Sequence, residues 1–192
     1  MFGCLVGSEM CIRDRIHRLK FNRFAGRGEP KGPEKYAAVA ILIYKNKEIL
    51  FIKRSENMPT HKGDIAFPGG KKEDGDVGIY STAKREAYEE LLIPKKTVNS
   101  ICTVEGNLDP IDTVEYKFNV YPVVFSLNEK QLNFNKDEVQ KIFYEPIEKL
   151  INKNNWSYRG AYDDDWIYML DEEILWGATA KMVRTLCNLR FR

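Results

Sequence analysis

Residues 67–90 run Phe67-Pro68-Gly69-Gly70, then a short acidic loop through Asp76, then a helix-forming stretch carrying Arg85-Glu86-Ala87-Tyr88-Glu89-Glu90. A glycine turn therefore leads into a helix with three carboxylates in little more than one turn. On a helix, residues four apart stack and residues three apart are neighbours. Glu86 and Glu90 are then stacked, and Glu89 lies beside Glu86. Like charges so placed cost roughly 0.2–0.5 kcal/mol per pair. Arg85, four before Glu89, offsets only part of this. Hard oxygen ligands suit magnesium or manganese, which keep several waters and bridge to phosphates. A Glu-rich helix is more commonly a solvated face. The Gly-Gly turn at a fixed distance before it shifts the reading toward a divalent cation held by Glu86, Glu89 and Glu90.

These residues resemble the Nudix box. Gly70 is followed after five residues by Asp76, and after eight more by Arg85-Glu86-Ala87-Tyr88-Glu89-Glu90-Leu91-Leu92-Ile93. The stretch departs from the family pattern in three places: Asp76 replaces glutamate, the spacer is one residue longer, and Leu92 replaces glycine. The longer spacer resembles the coenzyme A pyrophosphatase branch. So does the stretch before it, with Leu50, Arg54-Ser55, Gly63 and Phe67-Pro68-Gly69-Gly70 in register with that branch's motif. Phe51, Ile52 and Pro59 depart from that motif, standing for leucine, threonine and arginine; His61 or Lys62 is a nearby substitute for the missing positive group. Leu175-Trp176-Gly177-Ala178-Thr179-Ala180 resembles the segment opening the last helix of the group. The resemblance runs from Tyr36 to Leu189.

Composition bounds the reading without deciding it. A chain of 192 residues is long enough for one domain with its own core. Hydrophobic content of 43% and charged content of 30% are those of a globular protein in water. A net charge of +2 gives no argument for nucleic acid, and no apolar run approaches the roughly 20 residues that span a membrane. Met1 to Arg15 reads as non-native: Leu5 to Asp14 back-translates into a string resembling a transposon-type adapter of short-read sequencing libraries. With Cys4 and Cys11 set aside, Cys102 and Cys187 read as buried thiols in a reducing, cytoplasmic compartment.

Residues 16–35 read as an irregular basic arm, and 36–192 as a single domain. A phosphate-contacting role for Arg18, Lys20, Arg23 or Arg27 competes there with a merely solvated arm. Tyr36–Tyr44 and Glu48–Lys53 read as strands around a Lys45-Asn46-Lys47 turn, with further strands at Ile101–Glu105, Phe118–Leu127 and Trp166–Leu170. Ser81 or Thr82 caps the box helix and Pro94 stops it. Asp137–Ile151 reads as an amphipathic helix interrupted near Pro146, and Glu173–Leu189 as the last helix. Asp163-Asp164-Asp165 reads as an acidic turn in preference to a metal cluster. Strands interspersed with helices imply a layered α/β domain. The resemblance makes this a Nudix fold, a mixed sheet between helices, with Ala83 and Ala87 letting the box helix approach the sheet.

The resemblance implies an enzyme that hydrolyses the diphosphate of coenzyme A or acyl-coenzyme A, with Mg2+ or Mn2+ as cofactor. It implies Arg85, Glu86, Glu89 and Glu90 as catalytic residues, and Arg54, Ser55, Gly63, Phe67, Gly69 and Gly70 as substrate-binding ones. Arg85 would orient the glutamates and brace the loop. The general base stays open among Glu105, Asp109, Glu115 and a box glutamate. Two alternatives stand beside this: action on another nucleoside diphosphate derivative such as ADP-ribose or an oxidised nucleotide, and nucleotide or protein binding without turnover. The partner is a small molecule; the oligomeric state is not legible in the sequence.

Overall fold

A computed structural model describes residue 30 and residues 35–93, 102–112 and 119–191. The expectations for 1–15, for the basic arm apart from residues 30 and 35, for Pro94 and for Glu115 lie outside the described residues.

Strand β1 (Tyr36–Tyr44) is the spine of the sheet. A tight turn with Lys45 and Asn46 at positive φ returns the chain as β2 (Glu48–Arg54), with Ile43 opposite Ile49. Such left-handed turn residues match the twist of a hairpin. β3 (Ile65–Ala66) adds to β2, and β4 (Gly69–Lys71) lies antiparallel to the start of β1. After the helix α1 (Ile79–Leu91) come β5 (Cys102–Asn107), β6 (Ile111–Asp112) and β7 (Asn119–Leu127). β7 runs parallel to β1 along its whole length, while β5 and β6 are antiparallel to β7. β8 (Val139–Pro146) then pairs antiparallel with β2, completing a mixed sheet of eight strands.

Alternation along the strands gives this sheet two apolar faces. Ala38, Ala40, Leu42, Val123 and Phe125 face α1, which contributes Ile79, Ala83, Ala87 and Leu91. Ala83 and Ala87 are fully or almost fully buried, so small side chains on both sides let helix and sheet approach closely. Ile41, Ile43, Ile49, Phe51 and Val124 form the opposite face. It is covered by α2 (Ile147–Leu150), α3 (Gly177–Leu186) and a small sheet of β9 (Trp156–Tyr158), β10 (Trp166–Leu170) and β11 (Glu173–Leu175). The sheet therefore lies between helices, as the resemblance implied.

Three local expectations are corrected. Residues 139–146 form a strand, not an amphipathic helix. Both faces of β8 are covered, Ile142 and Tyr144 toward α1 and Phe143 toward the other layer, so its period of two is hidden in the sequence. Glu145, placed among these residues, is also buried and bonded to the Tyr168 hydroxyl, which further obscures the alternation. Pro146 ends the strand, and only one helical turn follows. The last helix begins at Gly177, not Glu173, because Glu173–Leu175 pairs with β10 and Gly177 takes a left-handed φ of 60°. α1 is capped at Gly78, with Ser81 reaching back from inside the first turn: its hydroxyl accepts from the Gly78 N–H at 3.0 Å and donates to the Gly78 carbonyl at 2.8 Å.

Candidate active site

α1 carries its charged residues at the edge of its contact with β4. Arg85 is the hub. Its Nε and Nη2 donate to Asp76, the closest contact being 3.1 Å; Nη1 donates to Glu86 at 3.0 Å and Glu89 at 3.1 Å; Nη2 also donates to the Lys71 carbonyl at 2.9 Å. One guanidinium therefore joins the strand before the loop, the loop itself and two helical carboxylates. Asp76 also accepts from the Glu73 N–H and the Thr82 hydroxyl, each at 3.0 Å. Burial alone would raise the Asp76 carboxyl; Arg85, the Glu73 N–H and Thr82 outweigh it and hold it below the usual range. The shorter acid of this box is thus fully used in bracing the loop.

The two glycines make room for this arrangement. A side chain at Gly70 would collide with the Glu86 carboxylate, and one at Gly69 would come within 2.6 Å of the Ala38 carbonyl on β1. Glu86 can therefore lie directly against β4 because position 70 is bare. Phe67 does not face the site: its ring is 3% exposed and stacks on Phe51 at 5.0 Å in the core. Ser55 is buried, its hydroxyl accepting from the Asn57 N–H at 3.2 Å, which makes it a turn-former. Gly63 supplies a turn at φ 70°, where an added side chain would meet Glu56. Arg54 ends β2 at a register shift against β8, the kind of bulge that re-aims a side chain beside a functional site.

Glu90 is the most constrained acid of the group. It is 2% exposed, and its Oε2 has no hydrogen-bond partner among the described residues. Burial pushes its carboxyl up to about 8; Glu86 and Glu138 add to the rise, while Arg54 and the Gly69 N–H oppose it. Burial also raises Glu86, against the pull of Arg85. Arg54 Nε is likewise buried without a partner among the described residues. Glu89, by contrast, is half exposed and held through Arg85. A buried, unpartnered carboxylate oxygen flanked by further carboxylates is a donor set that a hard divalent cation completes. Among the described residues no group of three acidic, histidine or cysteine side chains is placed so that it could by itself hold a metal ion. That is compatible with a magnesium-type ion, which keeps waters and shares substrate oxygens.

Glu138 carries no signal in the sequence that would single it out. It precedes β8, its carbonyl accepts from the Ser55 N–H at 2.8 Å, and its charge acts on both Glu86 and Glu90. It belongs to no local motif; only the pairing of β8 with β2 brings it here. Glu105 and Asp109 lie on and just after β5, two strands from β1. The Asp163–Asp165 segment is an acidic turn closed by arginines. Asp165 accepts from Arg159 at 2.9 and 3.1 Å and from the Ala161 N–H at 2.9 Å, and Asp164 pairs with Arg184 at 2.7 and 2.8 Å.

The chain matches the NUDIX domain family over residues 34–164. It is 33% identical over 162 residues to a protein of Photorhabdus laumondii named an uncharacterized Nudix hydrolase NudL, spanning 80% of this chain and 84% of that one. A protein of the same name from Citrobacter koseri is 30% identical over 188 residues, spanning 93% and 94%. The crystal structure of DR0079 from Deinococcus radiodurans covers 82% of this chain and 87% of its own, with a TM-score of 0.51 at 18% identity, a likeness of fold alone. The chain belongs to the Nudix family and is a Nudix hydrolase. The family hydrolyses diphosphate bonds and generally uses divalent metal ions. No described helix is long and apolar enough to cross a membrane.

Proposed function

We propose that this Nudix hydrolase cleaves the diphosphate of coenzyme A or an acyl-coenzyme A, giving 4′-phosphopantetheine or its acyl derivative and adenosine 3′,5′-bisphosphate. The observation that carries this reading is the Arg54–Gly70 stretch together with the extra residue between Asp76 and Arg85. Two departures from that branch's pattern, Phe51 and Ile52, are fully buried in the sheet, where they alter packing and not the site. Glu86, Glu89 and Glu90 are the proposed ligands of Mg2+ or Mn2+. When bound, such a cation supplies Lewis acidity toward phosphoryl oxygens and lowers the pKa of a coordinated water.

Diphosphate cleavage depends on positioning and charge neutralisation more than on covalent chemistry. Glu86 and Glu90 form the anionic wall of the site, and Arg85 fixes Glu86 through its 3.0 Å contact. Gly70 keeps Glu86 against β4, because any side chain there would displace the carboxylate. Arg54 offsets the charge of Glu90 and has a buried Nε, without a partner among the described residues, to offer a phosphoryl oxygen. The general base stays open among Glu105, Asp109, a box glutamate and Glu115, the last outside the described residues.

A second reading, another nucleoside diphosphate derivative such as ADP-ribose, is favoured by Pro59, an exposed proline where the branch carries arginine. A panel of coenzyme A, ADP-ribose, NADH and diadenosine polyphosphates with magnesium, products identified by mass, decides between them. Preferential release of 4′-phosphopantetheine is expected; comparable rates on all four would defeat the coenzyme A reading.

A further inference from the structure

The segment between β7 and β8 returns to the end of α1 at Asn135. Its N–H donates to the Glu90 carbonyl at 2.8 Å. Its side-chain Nδ2 donates to Glu138 Oε1 at 3.2 Å, and its Oδ1 accepts from the Asp137 N–H at 3.1 Å. Its own carbonyl accepts from the N–H groups of Glu138 at 3.2 Å and Val139 at 2.8 Å. Val139 in turn stands opposite Arg54 across the register shift, and the Ser55 N–H holds the Glu138 carbonyl. The backbone of Glu90, the carboxylate of Glu138 and the strand end bearing Arg54 are thus tied together by contacts through a single asparagine and its immediate neighbours.

The Glu90 carbonyl belongs to the last turn of α1, where backbone acceptors lack partners within the helix. By filling it, Asn135 fixes where the helix ends relative to β8. By holding Glu138, it sets that carboxylate at a defined place against a helix whose acids repel it. Leu92 plays no part in this tie. It is 55% exposed and contributes a left-handed cap bonded to the Tyr88 carbonyl.

We propose that Asn135 is a positioning residue of the proposed cation site, locking Glu138 and the Glu90 end of α1 into one rigid unit. The proposal rests on the carboxylates of α1 holding a divalent cation. Residues that orient ligands commonly set metal affinity by about 10- to 100-fold, and Asn135, holding a carboxylate beside the ligands and not a ligand itself, stands at the lower end of that range. Asn135→Ala loses the donor to Glu138 while keeping the backbone N–H to Glu90. Asn135→Asp keeps size and the acceptor for the Asp137 N–H but sets a second carboxylate against Glu138.

The test titrates substrate-free protein with Mn2+, reading free Mn2+ by electron paramagnetic resonance. Asn135→Ala, Asn135→Asp and Glu90→Gln are compared with wild type, and melting temperature is measured alongside. Both Asn135 variants are expected to weaken Mn2+ binding by about tenfold, the aspartate at least as much as the alanine. In turnover, the half-saturating Mn2+ concentration should rise while the substrate KM at saturating Mn2+ holds. Wild-type Mn2+ affinity in both Asn135 variants, whether or not melting falls, would overturn the proposal provided Glu90→Gln has lost binding. Wild-type binding by Glu90→Gln would instead overturn the site reading itself, and this proposal with it.

Discussion

Two of the chain's dense acidic segments are built in opposite ways. At Asp163–Asp165 the charges are matched on the spot: Asp165 is gripped by Arg159 and the Ala161 N–H, and Asp164 by Arg184. At Glu86–Glu90 the matching is partial. Arg85 serves Glu86, Glu89 and Asp76 together, while Glu90 is buried with an oxygen that nothing among the described residues satisfies. Negative charge alone does not distinguish the two. What separates them is an acid held away from water without a full set of partners, which folding tolerates only where something else completes the set.

The largest effect that sharpens this contrast is on turnover. Glu90→Gln should reduce hydrolysis roughly a thousandfold, several kcal/mol of transition-state stabilisation. Asp163→Asn should leave the rate within about twofold, since surface substitutions are usually near neutral. Steady-state rates with excess magnesium read both, and a fully active Glu90→Gln would remove that residue from the site. Next comes stability. Arg85→Ala strands a nearly buried Asp76, whose side chain is 6% exposed, and should cost about 3 kcal/mol in denaturant unfolding. A loss below about 1 kcal/mol would mean the hub is a surface ion pair.

The two segments should also respond to pH with opposite signs in metal-free protein. Glu90 is raised from 4.5 to about 8, so its ionisation is penalised in the folded state. That penalty is absent below its unfolded value, grows as pH rises from there to the folded one, and is fully present above it. Glu90→Gln should therefore melt higher than wild type at about pH 9 and nearly equal to it at about pH 5. Asp164, though exposed, is lowered from 3.8 chiefly by its hydrogen bonds to Arg184, so its contribution is present above that value and fades as pH falls through the folded one. Thermal melts of Glu90→Gln and Asp164→Asn across pH check both signs; equal offsets at all pH values would erase the distinction.

The smallest effect concerns the end of α1. Leu92 stands at φ 50° where the family uses glycine, and its side chain is mostly exposed. The family glycine is thus a matter of backbone conformation, and leucine there bears the left-handed strain. Leu92→Gly should stabilise the protein by about 0.5–1 kcal/mol, raising the melting temperature by a few degrees; a drop would mean the exposed side chain packs in some way its surroundings do not suggest.

The box was legible because its physics is local. Glu86, Glu89, Glu90 and Arg85 share one helix, and Gly70 leads into it at a fixed distance, so spacing alone brings them together. β1 and β2 were legible because a turn separates two unbroken apolar runs. β8 was not, because both its faces are covered and pairing with β2 overrides its apparent helical pattern. Glu138 and Asn135 were hidden for the same reason: long-range strand pairing, with no spacing in the sequence, carries them to α1. Phe67 was misplaced by the opposite error. It lies inside a motif whose glycines flank the site, yet its own ring packs on Phe51.

The most direct test of the proposed cation site is the melting temperature of the protein with and without magnesium. A ligand bound only by the folded state at a hundred times its dissociation constant adds about 2.7 kcal/mol. Wild type and Asp163→Asn should both gain this stabilisation, and Glu90→Gln should lose it. A magnesium-induced rise retained in Glu90→Gln but lost in Asp163→Asn would contradict the assignment and move the cation to the Asp163–Asp165 segment.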